Sequence, residues 1–245
     1  MVELSQLMRL MDSTSESAWS KALFDVAEGL GFDSVLYAAL PSKHANLETS
    51  FLHSNYSEKW RLHYDSSKLH YVDPTVRHSM GHVTPLVWEP ETFTQRDECA
   101  LYEDASHFGI RSGITFPMHG CNGEAGLISF ATDALPGDDF HKRLTHYMAD
   151  LSLVRDYAFE SSLTYVKAHN HAEPAPHLTK RELEVIKWVM AGKSSWEISR
   201  ITDCAEATVN FHISNIRQKF NVSTRQQAIV KAIALGIITP EDPHR

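Results

Sequence analysis

Between Leu178 and Phe220 the chain twice uses a device that leaves it little conformational choice, a hydroxyl residue followed three positions later by Glu at the head of an apolar run. Thr179 with Glu182 precedes Leu183, Ile186 and Val189, and Ser194 with Glu197 follows Ala191-Gly192-Lys193. Each pair can satisfy the free N–H groups of a helix start reciprocally, and a glycine between them lets one helix end in the left-handed conformation. The pattern predicts helix, turn, helix. A third helix follows Cys204, with Val209, Ile213, Ile216 and Phe220 on one face of a 3.6-residue period. Its outer face holds Glu206, Ala207, Asn210, Phe211, Ser214, Arg217 and Gln218, side chains able to meet base edges and phosphates. Ser223 with Gln226 reads as the cap of a fourth helix through Ala228, Ile229, Ala232 and Ile233, ending at Gly236. On periodicity alone, a generic helical bundle with a solvated polar face is the preferred reading.

The strings Arg181–Val185, Gly192-Lys193, Glu197–Ser199 and Thr208–Phe220 change that balance, because together they resemble, without gaps, the helix-turn-helix of LuxR-family transcription regulators. The resemblance implies a recognition helix in the major groove with neighbouring residues gripping the backbone. It places Asn210, Phe211 and Ser214 toward bases with Arg217 near them, and Lys193, Ser194, Thr208, Asn215, Lys219 and Arg225 on phosphates. His212 is expected to be half-buried.

Charge divides the chain in the same way. Residues 177–245 hold ten Lys and Arg against seven Asp and Glu, while residues 1–176 hold thirteen against twenty-four, so a net −8 conceals a cationic carboxy-terminal part. So few cations per protomer favour a homodimer reading two half-sites of double-stranded DNA. The expected domains are 1–165, a linker at 166–177 broken by two prolines, and 178–245. His169, His171 and His177 belong to that linker, where coordination geometry is hard to fix, and no metal is expected. Cys99, Cys121 and Cys204 are too scattered for a disulfide framework or a zinc site. With no basic-apolar leader and no apolar run near the ~18–20 residues of a membrane span, the expected location is the cytoplasm.

The amino-terminal part reads as α+β. A helix over 15–31 precedes a strand at Ser34–Leu40; further strands are expected at 48–54 and 85–88, and a hairpin joins 113–119 to 126–132 through Asn122-Gly123. Helical patterns cover 57–64, 73–80, 95–107 and 138–166. The expected fold is an α/β/α sandwich around a five-stranded antiparallel sheet, followed by an all-α four-helix domain carrying the helix-turn-helix.

Asn55–Tyr64, Val72-Asp73-Pro74, Trp88, Phe108-Gly109 with Gly113, and the strand containing Ser129 resemble the autoinducer-binding domain of LuxR-type quorum-sensing receptors. The likeness runs from about Trp19 to Ile238. It implies an N-acyl-homoserine lactone as regulatory ligand and no other cofactor. The head of such a ligand presents two carbonyls and one amide N–H, and a buried polar group left unpaired costs about 1–3 kcal/mol. By the resemblance, the Trp60 indole donates to the lactone carbonyl, Asp73 accepts the amide N–H with Thr75 beside it, and Tyr56 with Ser129 donates to the acyl carbonyl. Trp88, Phe93, Tyr102, Ala105 and Ile110 would pack on the ring. Leu36, Ala38, Leu40, Leu47, Ser50, Leu52, Val76, Ala125 and Leu127 would line the acyl tail, with Arg61 reaching a 3-oxo oxygen through water. Singly, these residues read more readily as core aromatics, core aliphatics and a helix cap; the joint spacing carries the assignment. His53, His63, His70, His78 and His82 fit no metal spacing.

Leu47, Ser50 and Ser79 depart from the family pattern, the first two in the tail wall, where each buried methylene contributes about 0.8 kcal/mol and one altered wall residue can shift the preferred chain length. The implied function is ligand-dependent dimerisation on a palindromic operator, as an activator that meets RNA polymerase. Two other readings are a sensor for a non-lactone ligand, opposed by intact Trp60 and Asp73, and a lactone hydrolase. The latter lacks both a nucleophile-elbow constellation and a metal cluster.

Overall fold

The computed structural model describes residues 1–43, 45–169 and 176–239. The chain divides into two compact units, Met1–Asn170 and His171–Arg245. The first contains a five-stranded antiparallel sheet of β1 (Ser34–Leu40), β2 (Phe51–Ser54), β3 (Leu86–Val87), β4 (Ser112–His119) and β5 (Ala125–Thr132), ordered β2-β1-β5-β4-β3. β5 lies at the centre and is buried along its whole length.

Alternation along β1 sends Val35, Tyr37 and Ala39 to one face and Leu36 and Ala38 to the other. The first face packs on helices α1 (Leu4–Met11), α2 (Glu16–Gly29) and α6 (Asp138–His169), sharing a core with Trp19, Phe32, Phe116, Phe130, Leu151 and Val154. Buried polar ends are paired there: Trp19 Nε1 donates to Ser161 Oγ at 2.8 Å, and Tyr37 shares a hydrogen bond with Ser162. The second face is covered by α3 (Glu58–Ser66), α4 (Pro74–Gly81) and α5 (Arg96–His107), and a separate aromatic cluster there joins Trp60 of α3 to Trp88 and Phe93 of the segment between β3 and α5. The α/β/α arrangement is therefore present.

The second unit is all-α, with α7 (Lys180–Met190), α8 (Ser195–Ile201), α9 (Glu206–Lys219) and α10 (Arg225–Ala234) around Val185, Ile186, Ile198, Val209, Ile216 and Phe220. The boxes at Thr179/Glu182 and Ser194/Glu197 form as expected, and Gly192 ends α7 with φ +82°. The last cap is Thr224 with Gln227, one residue later than Ser223 with Gln226, because the Thr224 hydroxyl accepts from Gln227 N.

Other boundaries move for local reasons. Helix α1 was not foreseen; it buries only Leu7 and Leu10, and its cap is Glu3 with Gln6. Residues Leu47–Thr49 form a 3-10 turn capped by Asn46, so β2 begins at Phe51. Helix α6 continues through Val166, which is fully buried, to His169, and so takes in the first residues assigned to the linker. Residues 170–175 of that linker, including His171, lie outside the described residues.

Contact leaves no room for a side chain at Gly126, where a Cβ would sit 2.4 Å from the Ala38 carbonyl oxygen, or at Gly113. A Cβ on Gly113 would sit 2.7 Å from Trp88 Cε3 and 2.9 Å from the Phe130 carbonyl oxygen. Gly113→Ala is expected to displace Trp88 and destabilise the sheet by roughly 1–3 kcal/mol, read as a lowered urea midpoint at unchanged slope. An unchanged midpoint would show that the indole yields freely.

Candidate ligand cavity and candidate DNA-reading helix

A cavity of about 490 Å³ lies between the second sheet face and helices α3 to α5, within the ordinary range for a small-molecule site. Of the expected ligand residues, Leu36, Ala38, Leu40, Leu47, Ser50, Leu52, Tyr56, Trp60, Arg61, Asp73, Thr75, Val76, Trp88, Phe93, Tyr102, Ala105, Ile110, Leu127 and Ser129 all line it. Ala125 does not: it stands opposite Leu40, which does, at the first residue of β5, and its neighbour Gly126 is on the wall. Ser79 is also off the wall, fully buried with its hydroxyl donating to the Thr75 carbonyl at 2.7 Å.

Polar groups gather at one end. Asp73 caps α4, its Oδ1 accepting from Thr75 N at 2.8 Å and from Thr75 Oγ1 at 2.7 Å, while Oδ2 accepts from the Tyr64 hydroxyl at 2.8 Å. A carboxylate offers about four lone-pair sites, so one remains for a further donor. Burial, reinforced by the Asp73 carboxylate and opposed by Arg61, holds the Tyr56 phenol well above its ordinary range; burial and then Asp73 do the same to Tyr64. Both phenols therefore keep their hydrogens at neutral pH. The Tyr56 hydroxyl and Trp60 Nε1 have no hydrogen-bond partner among the described residues, although Trp60 is only 3% exposed. Trp88 and Tyr102 differ: Trp88 Nε1 donates to Thr115 Oγ1 at 2.9 Å and the Tyr102 hydroxyl to the Arg111 carbonyl at 2.7 Å. Their rings are thus fixed as walls.

Several neighbours hold these groups in place. Phe108 covers the Trp60 indole with ring centroids 5.5 Å apart, and His63 Nε2 meets Asp104 Oδ2 at 3.2 Å, joining α3 to α5. Arg61 is bound to Asp65 at 2.6 Å and lies 5.2 Å over the Tyr64 ring. At the rim, Lys68 Nζ pairs with Glu48 at 3.3 Å. Tyr64, Leu101, Met80, Glu48, Asp65, His70 and Gly126 line the cavity without having been expected there. Tyr64 follows Trp60 by four residues and Leu101 precedes Ala105 by four, so helical spacing from an assigned residue could have found both.

In the second unit α9 presents Thr208, Asn210, Phe211, Ser214 and Arg217 to solvent, Phe211 at 61% exposure, with Asn215 and His212 half-buried. Asn210 Oδ1 accepts from Ser195 Oγ at 2.7 Å. Ser194 caps α8, Lys193 pairs with Glu197 at 3.3 Å, and Arg225 is exposed at the head of α10. Lys219, expected on a phosphate, has its ammonium 2.6 Å from Glu182 Oε2 and 3.0 Å from the His177 carbonyl.

Burial alone would push Glu182 up, but the bonds from Lys219 and Thr179 outweigh it and the carboxyl lies below its ordinary range. A lowered folded-state value means stability that is present above the ordinary carboxylate range and is lost as pH falls through the folded value. Lys219→Ala is expected to lower the stability of this unit by about 2 kcal/mol, and Glu182→Gln to flatten its acid unfolding curve in far-ultraviolet circular dichroism. An acid limb unchanged by Glu182→Gln would contradict this assignment.

Residues 15–162 match the family described as autoinducer binding domain, and residues 176–232 match the family described as bacterial regulatory proteins, luxR family. The transcriptional activator protein VanR of Vibrio anguillarum is 30% identical over 239 residues, spanning 96% of this chain and 98% of its own. The transcriptional activator protein LuxR of Aliivibrio fischeri is 33% identical over 230 residues, 89% of this chain and 87% of its own. In fold, Escherichia coli SdiA superposes with a TM-score of 0.74 at 23% identity, covering 96% of this chain and 97% of that one. A small-molecule-binding domain and a helix-turn-helix domain on one chain define a ligand-binding transcriptional activator, and not an enzyme. The chain belongs to the LuxR family of bacterial transcriptional regulators.

Proposed function

We propose that the regulatory ligand is an N-acyl-homoserine lactone and that its binding drives dimerisation and occupancy of a palindromic operator in quorum sensing. One observation carries this reading: two donors without hydrogen-bond partners among the described residues, Trp60 Nε1 and the Tyr56 hydroxyl, line the same cavity as the Asp73 acceptor, and the rest of the wall is mainly apolar. That is the donor and acceptor count of two carbonyls and one amide N–H. The tail wall from Leu36 to Leu40 covers four strand steps, roughly 13 Å at about 3.3 Å per residue, which suits a long acyl chain. It follows a LasR-like pattern except at Leu47 and Ser50. Arg61, although engaged by Asp65, lies close enough to the cavity to serve a 3-oxo oxygen through water.

On DNA, Asn210, Phe211 and Ser214 read bases, Arg217, Thr208 and Arg225 grip the flanks, and Lys193, Ser194 and Asn215 support them. Transcription then follows from contact with RNA polymerase in the cytoplasm. The test is fluorescence anisotropy of palindromic operator DNA titrated with the full chain. Binding that rises with N-acyl-homoserine lactone and not with its ring-opened acid supports the proposal; equal binding with and without lactone contradicts it.

A further inference from the structure

The hairpin register places Thr115 of β4 opposite Ser129 of β5, and their hydroxyls are 2.8 Å apart. Thr115 is fully buried and is not a wall residue of the cavity. Its Oγ1 has two partners among the described residues, Trp88 Nε1 at 2.9 Å and Ser129 Oγ. Their order can be deduced from hydrogen counting. An indole N–H only donates, so Thr115 Oγ1 accepts from Trp88. The Thr115 hydrogen then has one available acceptor, Ser129 Oγ. The opposite order, with Ser129 donating to Thr115, would leave that hydrogen stranded at a site with no solvent exposure, against the rule that buried polar groups are paired. Ser129 therefore accepts from behind, and its own hydrogen is left for the cavity that it lines.

We propose that Thr115 is a positioning residue that, with Trp88 behind it, commits Ser129 to donate into the cavity, so that this wall selects ligands carrying a hydrogen-bond acceptor at that point. The inference rests on the lactone reading above and adds a specificity device to the same site. Trp88 is well placed to set the direction, because its backbone N–H donates to the Gly113 carbonyl at 2.9 Å and its ring lies against the Cα of Gly113, where no side chain could fit. Aligned hydrogen bonds polarise one another, so the Ser129 hydroxyl is both oriented and strengthened as a donor.

The test uses the full chain and two probes, N-dodecanoyl-homoserine lactone and its thioamide counterpart, in which a weak sulfur acceptor replaces the acyl oxygen. The ratio of their dissociation constants, measured by equilibrium dialysis, reports the hydroxyls that donate to that oxygen, Tyr56 and Ser129, and its change in a variant that keeps Tyr56 reports the Ser129 share. Losses of overall stability act on both probes and cancel in the ratio. Wild-type protein is expected to favour the oxygen probe by more than about tenfold, since each of the two hydrogen bonds to that oxygen is worth roughly that factor. Ser129→Ala lowers the ratio severalfold, the Tyr56 hydroxyl holding the remainder. Thr115→Ser keeps it, whereas Thr115→Val, similar in shape but without the hydroxyl, and Trp88→Phe, which leaves both hydroxyls but removes the donor that orders them, each lower it severalfold. A full ratio retained in Thr115→Val and Trp88→Phe would overturn the relay while leaving the lactone reading intact. Wild-type protein that binds neither probe would overturn that reading, and the relay with it.

Discussion

Asp73→Ala is expected to weaken ligand binding by on the order of a hundredfold or more and to lower stability even without ligand. The carboxylate does three things at once: it caps α4 through Thr75 N, orders the Tyr64 phenol, and leaves one lone pair toward the cavity. Loss of a helix cap costs about 1 kcal/mol, and loss of a hydrogen bond to a charged group about 1.5–3 kcal/mol. Asp73→Asn separates the two effects. Asparagine caps helices as well as aspartate does, but it places an NH₂ where Oδ2 now accepts from Tyr64. The Asn variant should therefore melt near wild type in the absence of ligand and still lose most of its affinity. If Asp73→Asn bound the lactone normally, the carboxylate would be a cap and nothing more.

The second large effect is thermal. The ligand-binding unit has a cavity of about 490 Å³ between its sheet and three helices, and a ligand seated there removes apolar wall from water. A ligand bound by the native state alone stabilises it by about 4 kcal/mol at a thousandfold excess over Kd. For a unit of this size, 1 kcal/mol moves the midpoint by about 2–4 °C, so saturating lactone should raise Tm by roughly 8–16 °C. Differential scanning calorimetry of the full chain should show the shift in the transition of the ligand-binding unit, with the helix-turn-helix transition moving little. A shift of equal size in both, or in neither, would go against ligand binding confined to this cavity.

Local chemistry made much of this legible beforehand. The boxes at Thr179 and Ser194 act over three residues, so their helices could be placed from the residues alone. The hairpin turn at Gly123 and the alternation of Ser34–Leu40 are equally local. The cavity residues were legible by another route, a resemblance at joint spacing, since Trp60 or Asp73 alone reads as an ordinary core ring or cap. What escaped depends on partners distant in sequence. Lys219 sits on the polar face expected to meet DNA, yet finds Glu182, 37 residues away. Thr115 looked like one strand residue among several until the hairpin register set it against Ser129 and folding brought Trp88 behind it. Val166 reads as linker because prolines follow it, but its burial carries α6 onward. Ala125 is off the cavity wall although its register partner Leu40 is on it, since alternation gives a residue's face of a strand and not its distance from a cavity.

Whether a lactone is held in this cavity is decided by mass spectrometry of an organic extract from the protein produced with a mixture of N-acyl-homoserine lactones. One long-chain lactone is expected at near-equal stoichiometry with protein, and its loss is expected from Asp73→Asn. An extract without lactone, from protein that is folded and binds operator DNA, would contradict lactone binding in this cavity.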